Sequence, residues 1–404
     1  MTLKSPVEAE ESQAKLSLGG FLSLTTDNCQ RLSKTWQTVV MLTGVIVAGL
    51  ISIFGAHFLS EEFRFDAETI AKVGHTPVDQ RVGDEGSFAV IADFYKSVGL
   101  IDHPLAAGLL GVLVGSMAIF LGVRKAGGIR KNLFSVGLVA VGFILSGVFL
   151  GQYTKEIFIS LAMIVVLGVP RTWWGELLGL LAMAGVAVWF RPYWGLLIAV
   201  YVVARFVPPA GIAVKGQRIS YKNPICFVVL MALASIAFSV VIGAYTGDGG
   251  DHFRSSVNQW RANDGSTTTL IPAYVHTSPL IGGILNNLIT TVLLVVPLPL
   301  LGLLKPYYIA SALLFMFLWS GLFIGFYKLR ESHHVWAMRA FAIMTGFLVV
   351  QGVFEPDYGS ALRHLVPLIP LLILLRDFDL NSNGVPSYEP ISEHDPSEAS
   401  PRDN

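Results

Sequence analysis

Apolar residues arrive in long blocks along this chain, separated by short clusters of charge, proline and glycine. The blocks centre on residues 37–58, 104–123, 133–152, 156–170, 173–190, 192–207, 224–245, 306–328, 337–354 and 365–376. Apolar blocks of about 17–23 residues match the roughly 30 Å hydrocarbon core of a bilayer. The expected fold class is therefore all-α: a polytopic helical membrane protein with about ten transmembrane helices. One further run, 280–304, breaks the pattern. It carries Asn286, Asn287, Thr290 and Thr291, then Pro297 and Pro299 in "VVPLPLL". Backbone interrupted by proline at membrane depth needs protein or a water-filled cavity beside it. This predicts a re-entrant or interfacial segment dipping from the outer face, with an ordinary kinked span as the alternative. The ends, 1–35 and 377–404, are polar and low in buriable residues, so both are expected to be disordered and cytoplasmic. Residues 36–376 then form the transmembrane domain, with no internal repeat.

Orientation follows from the short basic loops, which stay in the cytoplasm. Residues 124–131 hold Arg124, Lys125, Arg130 and Lys131. Residues 205–222 hold Arg205, Lys215, Arg218 and Lys222, and residues 328–339 hold Lys328, Arg330 and Arg339. With a cytoplasmic N-terminus all three loops lie inside, provided that 280–304 does not cross. The outer side then receives two long loops, 59–103 and 246–279, and three short corners. The corners are "GQYTKE" 151–156, "WFRPYW" 189–194 and "EPDYGSALRH" 355–364. In the first long loop, Phe88, Ile91, Ala92 and Tyr95 recur at helical spacing, predicting an amphipathic helix on the membrane surface. Trp173 and Trp174, beside Arg171, read as interfacial anchors on the cytoplasmic side.

Composition narrows the chemistry. The chain is 53% hydrophobic and 14% charged, against about 25% charged in soluble domains. Its formal net charge is zero, which gives a nucleic-acid partner no electrostatic support. Cys29 and Cys226 fit no metal-ligand spacing, and no disulfide, metal or other cofactor is expected. No cleavable leader is expected, because the first apolar block is long enough to span. Phosphate loops, nucleotide-binding glycine fingerprints and zinc spacings are missing from the sequence.

What remains is a set of cations on the side that the charge bias leaves poor in them. Lys155, Arg191 and Arg363 each sit at a corner, and His252, Arg254 and Arg261 lie in the second long loop. A charge near the bilayer is a functional candidate, although long side chains at span ends also snorkel. Lys155 next to Glu156 reads equally as a solvated ion pair, Arg191 as part of an aromatic belt, and Asp66 as a surface acid. Arginine forks bind phosphate oxygens bidentately and stay charged at any working pH. Neutralising a pyrophosphate leaving group requires such groups. A carboxylate or imidazole takes the proton from an attacking hydroxyl. Asp66, Glu68, Asp251, His252, Glu355, Asp357 and His364 are all candidates for that role. In the decapeptide, Arg363 follows a Gly359–Ser360 turn and opens the last span. Glu355, Asp357 and His364 would orient it or accept a proton.

In one order, "TKE", "FRPYW", "NQWRANDGSTTT", "VPLPLL" and "EPDYGSALRHLVPLIPLLILL" resemble motifs of the Wzy-like polymerases of O-antigen and exopolysaccharide clusters. The closing Arg-His before a proline-rich apolar span is also similar to the last span of GT-C-type glycosyltransferases. The likeness covers roughly residues 37–376. It implies a bacterial inner-membrane glycosyltransferase that polymerises repeat units carried on undecaprenyl pyrophosphate at the outer face. Its partners would be that lipid-linked glycan, membrane lipid and other polysaccharide-assembly proteins. The family's outer-face arginines map onto Arg191, Arg261 and Arg363, with Lys155 beside them, and the GT-C acid of the first outer loop onto Asp66. The loop 246–279 is short beside that of many polymerases, which leaves transfer of a single sugar open. A transporter would carry buried mid-span charges or a repeat, and a non-catalytic assembly partner would use the same cations for contact.

Overall fold

A computed structural model describes residues 30–81, 86–170, 172–206, 212–214, 217–219, 224–248, 250–263, 269–329 and 334–379. The expected all-α class is what it shows. In chain order the helices are α1 (Lys34–Phe58), α2 (Phe65–His75), α3 (Gly86–Ser97), α4 (Pro104–Ala126), α5 (Leu133–Phe149) and α6 (Glu156–Gly168). Then follow α7 (Trp173–Trp189), α8 (Trp194–Phe206), α9 (Pro224–Thr246), α10 (His252–Asn263), α11 (Pro279–Val295) and α12 (Leu298–Gly302). The chain ends with α13 (Pro306–Leu329), α14 (Val335–Phe354), α15 (Tyr358–Leu365) and α16 (Ile369–Asp377). Between α8 and α9, Ile212–Val214 pairs antiparallel with Gln217–Ile219 as a small hairpin. Among the described residues, five helical stretches are long and apolar enough to cross a membrane: α1, α4, α13, α14 and the continuous run Tyr358–Asp377. Shorter apolar stretches among the described residues include α5, α6, α7 and α11.

Local sequence explains the helix ends. Ser33, Asn132, Thr172 and Asp357 each accept a backbone N–H from the first turn of the helix that follows. Pro104 and Pro279 open α4 and α11, where a missing N–H costs nothing. Gly127, at φ 85°, ends α4 in the left-handed region. Along α4, Gly108 and Gly111 lie directly against the backbone of Gly151 and Leu150, an approach that any Cβ would block.

Contacts sort the helix ends into two groups. At one end Arg31 donates to Gly128 O and Ala126 O at 2.6 and 2.8 Å. Here too Arg130 donates to Phe378 O at 3.1 Å, and Lys328 to Arg376 O and Phe378 O at 2.6 and 2.9 Å. Arg339 joins α14 to Glu176 of α7 nearby. At the other end Ser52 donates to Gly151 O, Gln152 to Phe63 O and Tyr153 to Ile101 O. The helices therefore run alternately between a basic end and a second end that carries the long loops.

The 280–304 run behaves as its prolines predict. Asn286 holds Tyr274 N and Val275 N, each at 2.9 Å, so α11 starts at the second end. α13 also starts there, because its last turn supplies Lys328 to the basic end. The segment between them enters and leaves by the same face, broken at Val296 and Pro297 between α11 and α12.

At the edges of the two terminal stretches, residues 30–34 and 377–379 contact the bundle. Arg31, Arg130 and Lys328 hold these segments by satisfying helix-end carbonyls. The helix bearing Phe88, Ile91, Ala92 and Tyr95 exists, but its apolar face meets protein. Ile91, Ala92 and Tyr95 pack with Ile70, Val73, Ile101, Ala107 and Tyr153 as a small separate core. Trp173 and Trp174 are exposed and stacked on each other. Cys29, Arg171, Lys215, Lys222 and Arg330 lie outside the described residues, as do the side chains of Arg205, Arg218 and Cys226.

Candidate functional site

Five separate segments meet at the second end. Glu156 opens α6, and its N–H is held by Thr154 Oγ1 at 3.1 Å. An acid in a first helical turn also suits the helix dipole. Arg191 follows α7 and turns its guanidinium onto Glu156 and the Tyr193 hydroxyl. Asp66 stands in the first turn of α2. Arg261 comes from the last turn of α10 and pairs with Asp357. Arg363 and His364 come from the last turn of α15.

The decapeptide folds differently from the turn expected of it. The chain reverses at Glu355–Pro356–Asp357, where Ile271 N donates to Pro356 O at 2.8 Å and Tyr358 N to Thr269 O at 3.2 Å. Asp357 caps α15, so Gly359 and Ser360 already lie in the helix. Arg363 and His364 are thereby carried on a helical face rather than at a turn. The last span begins at Tyr358 and bends through the short 3₁₀ piece Val366–Leu368, which holds Pro367.

The groups form a connected network. Arg363 Nη1 meets Asp66 Oδ1 at 2.9 Å, and its Nε lies 4.0 Å from Glu156 Oε1. Lys155 Nζ lies 3.9 Å from Asp66 Oδ2 and 4.2 Å from the centre of the Phe88 ring. His364 Nδ1 meets Glu355 Oε2 at 2.9 Å, while its Nε2 lies 3.9 Å from Glu156 Oε1. A cavity of about 320 Å³ opens among them. Lys155, Arg191, Arg261, Glu355, Arg363 and His364 make its polar wall, and Phe190, Val257, Phe347, Val350 and Phe354 its apolar one.

Burial and charge set the protonation states. Burial opposes ionisation of Asp66, but Arg363, Lys155 and Arg191 outweigh it and hold its carboxyl below the usual range. Burial likewise opposes the charge on Arg191, and Glu156 and Tyr193 more than compensate. Lys155 is pushed down to about 8, mainly by burial. Glu355 is pushed up to about 7 by burial, against a hydrogen bond from Ser360 and the pull of Arg191, Arg363 and Arg261. Four basic side chains thus face the carboxylates of Asp66, Glu156, Asp357 and Glu355, of which Asp66 is held ionised and Glu355 is pushed up toward neutral pH.

Eight of the ten residues singled out from the sequence fall in this network: Arg363, Arg191, Arg261, Asp66, His364, Lys155, Glu355 and Asp357. Two do not. His252 pairs with Asp248 at 2.9 Å at a half-buried position away from the cavity wall. Arg254 is fully buried and structural. It donates to Thr290 Oγ1 and Gly352 O at 2.6 and 3.0 Å and meets Asp251, which fastens α10 to α11 and α14. Of the proton-acceptor candidates, Glu355 and His364 alone line the cavity. Glu68 faces Arg64 outside it.

Sequence reasoning misses Glu156. Its neighbour Lys155 makes a surface ion pair the natural expectation, yet Lys155 turns to Asp66 and Glu156 to Arg191. Glu156 is 0% exposed and sits among Arg191, Arg363 and His364. The available signal is its place as the first residue of the apolar run "EIFISLAMIVVLG". Tyr193 is missed too, because an aromatic beside Arg191 and Trp194 reads as membrane belt.

In comparisons with known proteins, no family model, curated protein or solved structure matches this chain.

Proposed function

We propose that this chain is a bacterial inner-membrane glycosyltransferase acting on a glycan carried by a polyprenyl pyrophosphate, in the manner of the Wzy-like polymerases. The observation that carries the reading is the meeting of Lys155, Arg191, Arg261 and Arg363, from separate segments, on one cavity that also holds the Glu355–His364 pair. The cavity lies at the end opposite the basic loops, and the charge bias puts those loops in the cytoplasm, so it faces outward. Its volume suits a sugar with its phosphates.

In this reading an acceptor hydroxyl attacks the anomeric carbon of the donor. The bond from that carbon to the diphosphate oxygen breaks, and the diphosphate leaves with the bonding pair. Lys155, Arg261 and Arg363 stabilise its growing charge. The proton of the hydroxyl passes to His364 Nε2, whose other nitrogen is held by Glu355. Glu156 keeps Arg191 in place beneath the pair.

Replacement of Arg363 or Arg191 by alanine should lower formation of long-chain polysaccharide about 100-fold while single repeat units persist. Full-length polymer from both variants would overturn the reading. The short second loop favours one variation, transfer of a single sugar from a polyprenyl phosphate. Loss of one sugar, rather than of the polymer ladder, identifies that outcome.

A further inference from the structure

The cavity wall holds two buried oxygen acceptors without a well-formed hydrogen bond, Gln351 Oε1 and Glu355 Oε1, with the Ser360 hydroxyl as a nearby donor to Glu355 alone. Gln351 and Glu355 stand four positions apart at the C-terminal end of α14, and both line the cavity. Positions at that spacing share one helix face. Both residues are only 3% exposed. Each is anchored through its other polar atom. Gln351 Nε2 donates to Ala361 O at 3.1 Å, and Glu355 Oε2 meets His364 Nδ1 at 2.9 Å. The Gln351 amide cannot be turned over, because that would set its oxygen against the carbonyl of Ala361. Gln351 Oε1 and Glu355 Oε1 are left buried with no hydrogen-bond partner.

Native interiors rarely leave such acceptors bare. A phosphate cannot serve them: it is itself an acceptor and an anion, and it belongs with the cations opposite. Hydroxyl groups can. Phe347 and Phe354 flank the pair on the same wall and offer apolar surface to the C–H face of a pyranose. We infer that Gln351 and Glu355 form a hydroxyl-binding subsite for a neutral sugar, which donates one ring hydroxyl to each free oxygen. The inference rests on the lipid-linked glycan reading and adds how the headgroup lies, with phosphates toward the arginines and sugar against α14.

The test uses the full chain in lipid nanodiscs and three probes: polyprenyl diphosphate, the same lipid bearing one glucose, and glucosyl polyprenol without phosphate. Dissociation constants are measured for the natural chain and for Gln351→Leu and Gln351→Met, the second keeping side-chain length so that packing survives. The glucosylated diphosphate should bind about tenfold tighter than the bare one, the size of one well-made hydrogen bond. Both variants should bring that ratio close to one. A ratio near one in the natural chain, or an unchanged ratio in both variants, overturns the subsite and leaves the donor reading standing. If glucosyl polyprenol binds as tightly as its diphosphate and still depends on Gln351, the diphosphate reading falls and the subsite stands. If none of the three binds, both fall.

Discussion

The two ends of this bundle both gather charges from distant parts of the chain, and they use them differently. At the basic end the cations chiefly meet main-chain carbonyls, alongside ion pairs of Arg339 with Glu176 and of Arg31 and Arg130 with Asp379. Arg31 holds the last carbonyls of α4, and Arg130 and Lys328 hold those at the end of α16. These oxygens have no partner within their own helices, and a nearby cation is what a helix C-terminus favours. At the other end the cations meet carboxylates around a cavity. There Arg191 Nε, Arg363 Nε, Glu156 Oε2 and Glu355 Oε1 are buried without partners. Charge beside a membrane is therefore not by itself a mark of function. Unfilled hydrogen-bonding capacity facing a cavity is the better guide.

The comparison is sharpest at Glu156, where the second end also supports the fold. Glu156→Ala would leave Arg191 buried without its counter-charge. Breaking a buried pair in this way costs about 3–5 kcal/mol. Unfolding in detergent micelles should show that loss, and adding Arg191→Met should recover part of it. A single variant as stable as the natural chain would mean that Arg191 finds another anion, and that the network is looser than its geometry. Next in size is Lys328→Met at the basic end. It removes two donors from buried carbonyls, a loss of about 1–3 kcal/mol. Glycan formation per folded molecule should stay the same. A fall in that activity comparable to the Arg363→Ala effect would erase the distinction between the ends.

Much of this was legible in the sequence because it depends on blocks and counts. Apolar length gives the membrane helices, and the basic loops give the alternation. The excess of prolines and asparagines in 280–304 gives the returning segment. What the sequence hides is pairing. Nothing in "TKE" says that Lys155 turns toward Asp66 while Glu156 turns inward to Arg191, because both partners lie in other segments. Arg254 and Arg261 share one helix at a seven-residue spacing. One is fully buried as a fastener and the other reaches the cavity, and only the placement of α11 and α14 separates them. Burial hides Gln351 for the same reason. A glutamine within an apolar run reads as an ordinary helix residue until its buried oxygen is found without a partner beside a cavity.

The smallest expected effect concerns pH, and it separates the ends because its two groups both line the cavity. Glu355 carries its proton below about 7 and releases it above. Ionised, it accepts the Nδ1 hydrogen of His364 and leaves Nε2 free to take a proton. Protonated, it donates to Nδ1 instead, and the imidazole hydrogen moves to Nε2, where it blocks that role. Glycan formation should therefore fall about tenfold for each pH unit below 7. Lys155 is a cation below about 8 and neutral above, so a second decline should begin there. Lys155→Arg keeps its charge at any of these values, and should carry activity above pH 8 without altering the acid limb. Glu355→Gln removes the titrating carboxyl, and should flatten the acid limb. If the acid limb survives in Glu355→Gln, another group governs the proton, and the pairing of Glu355 with His364 is structural only.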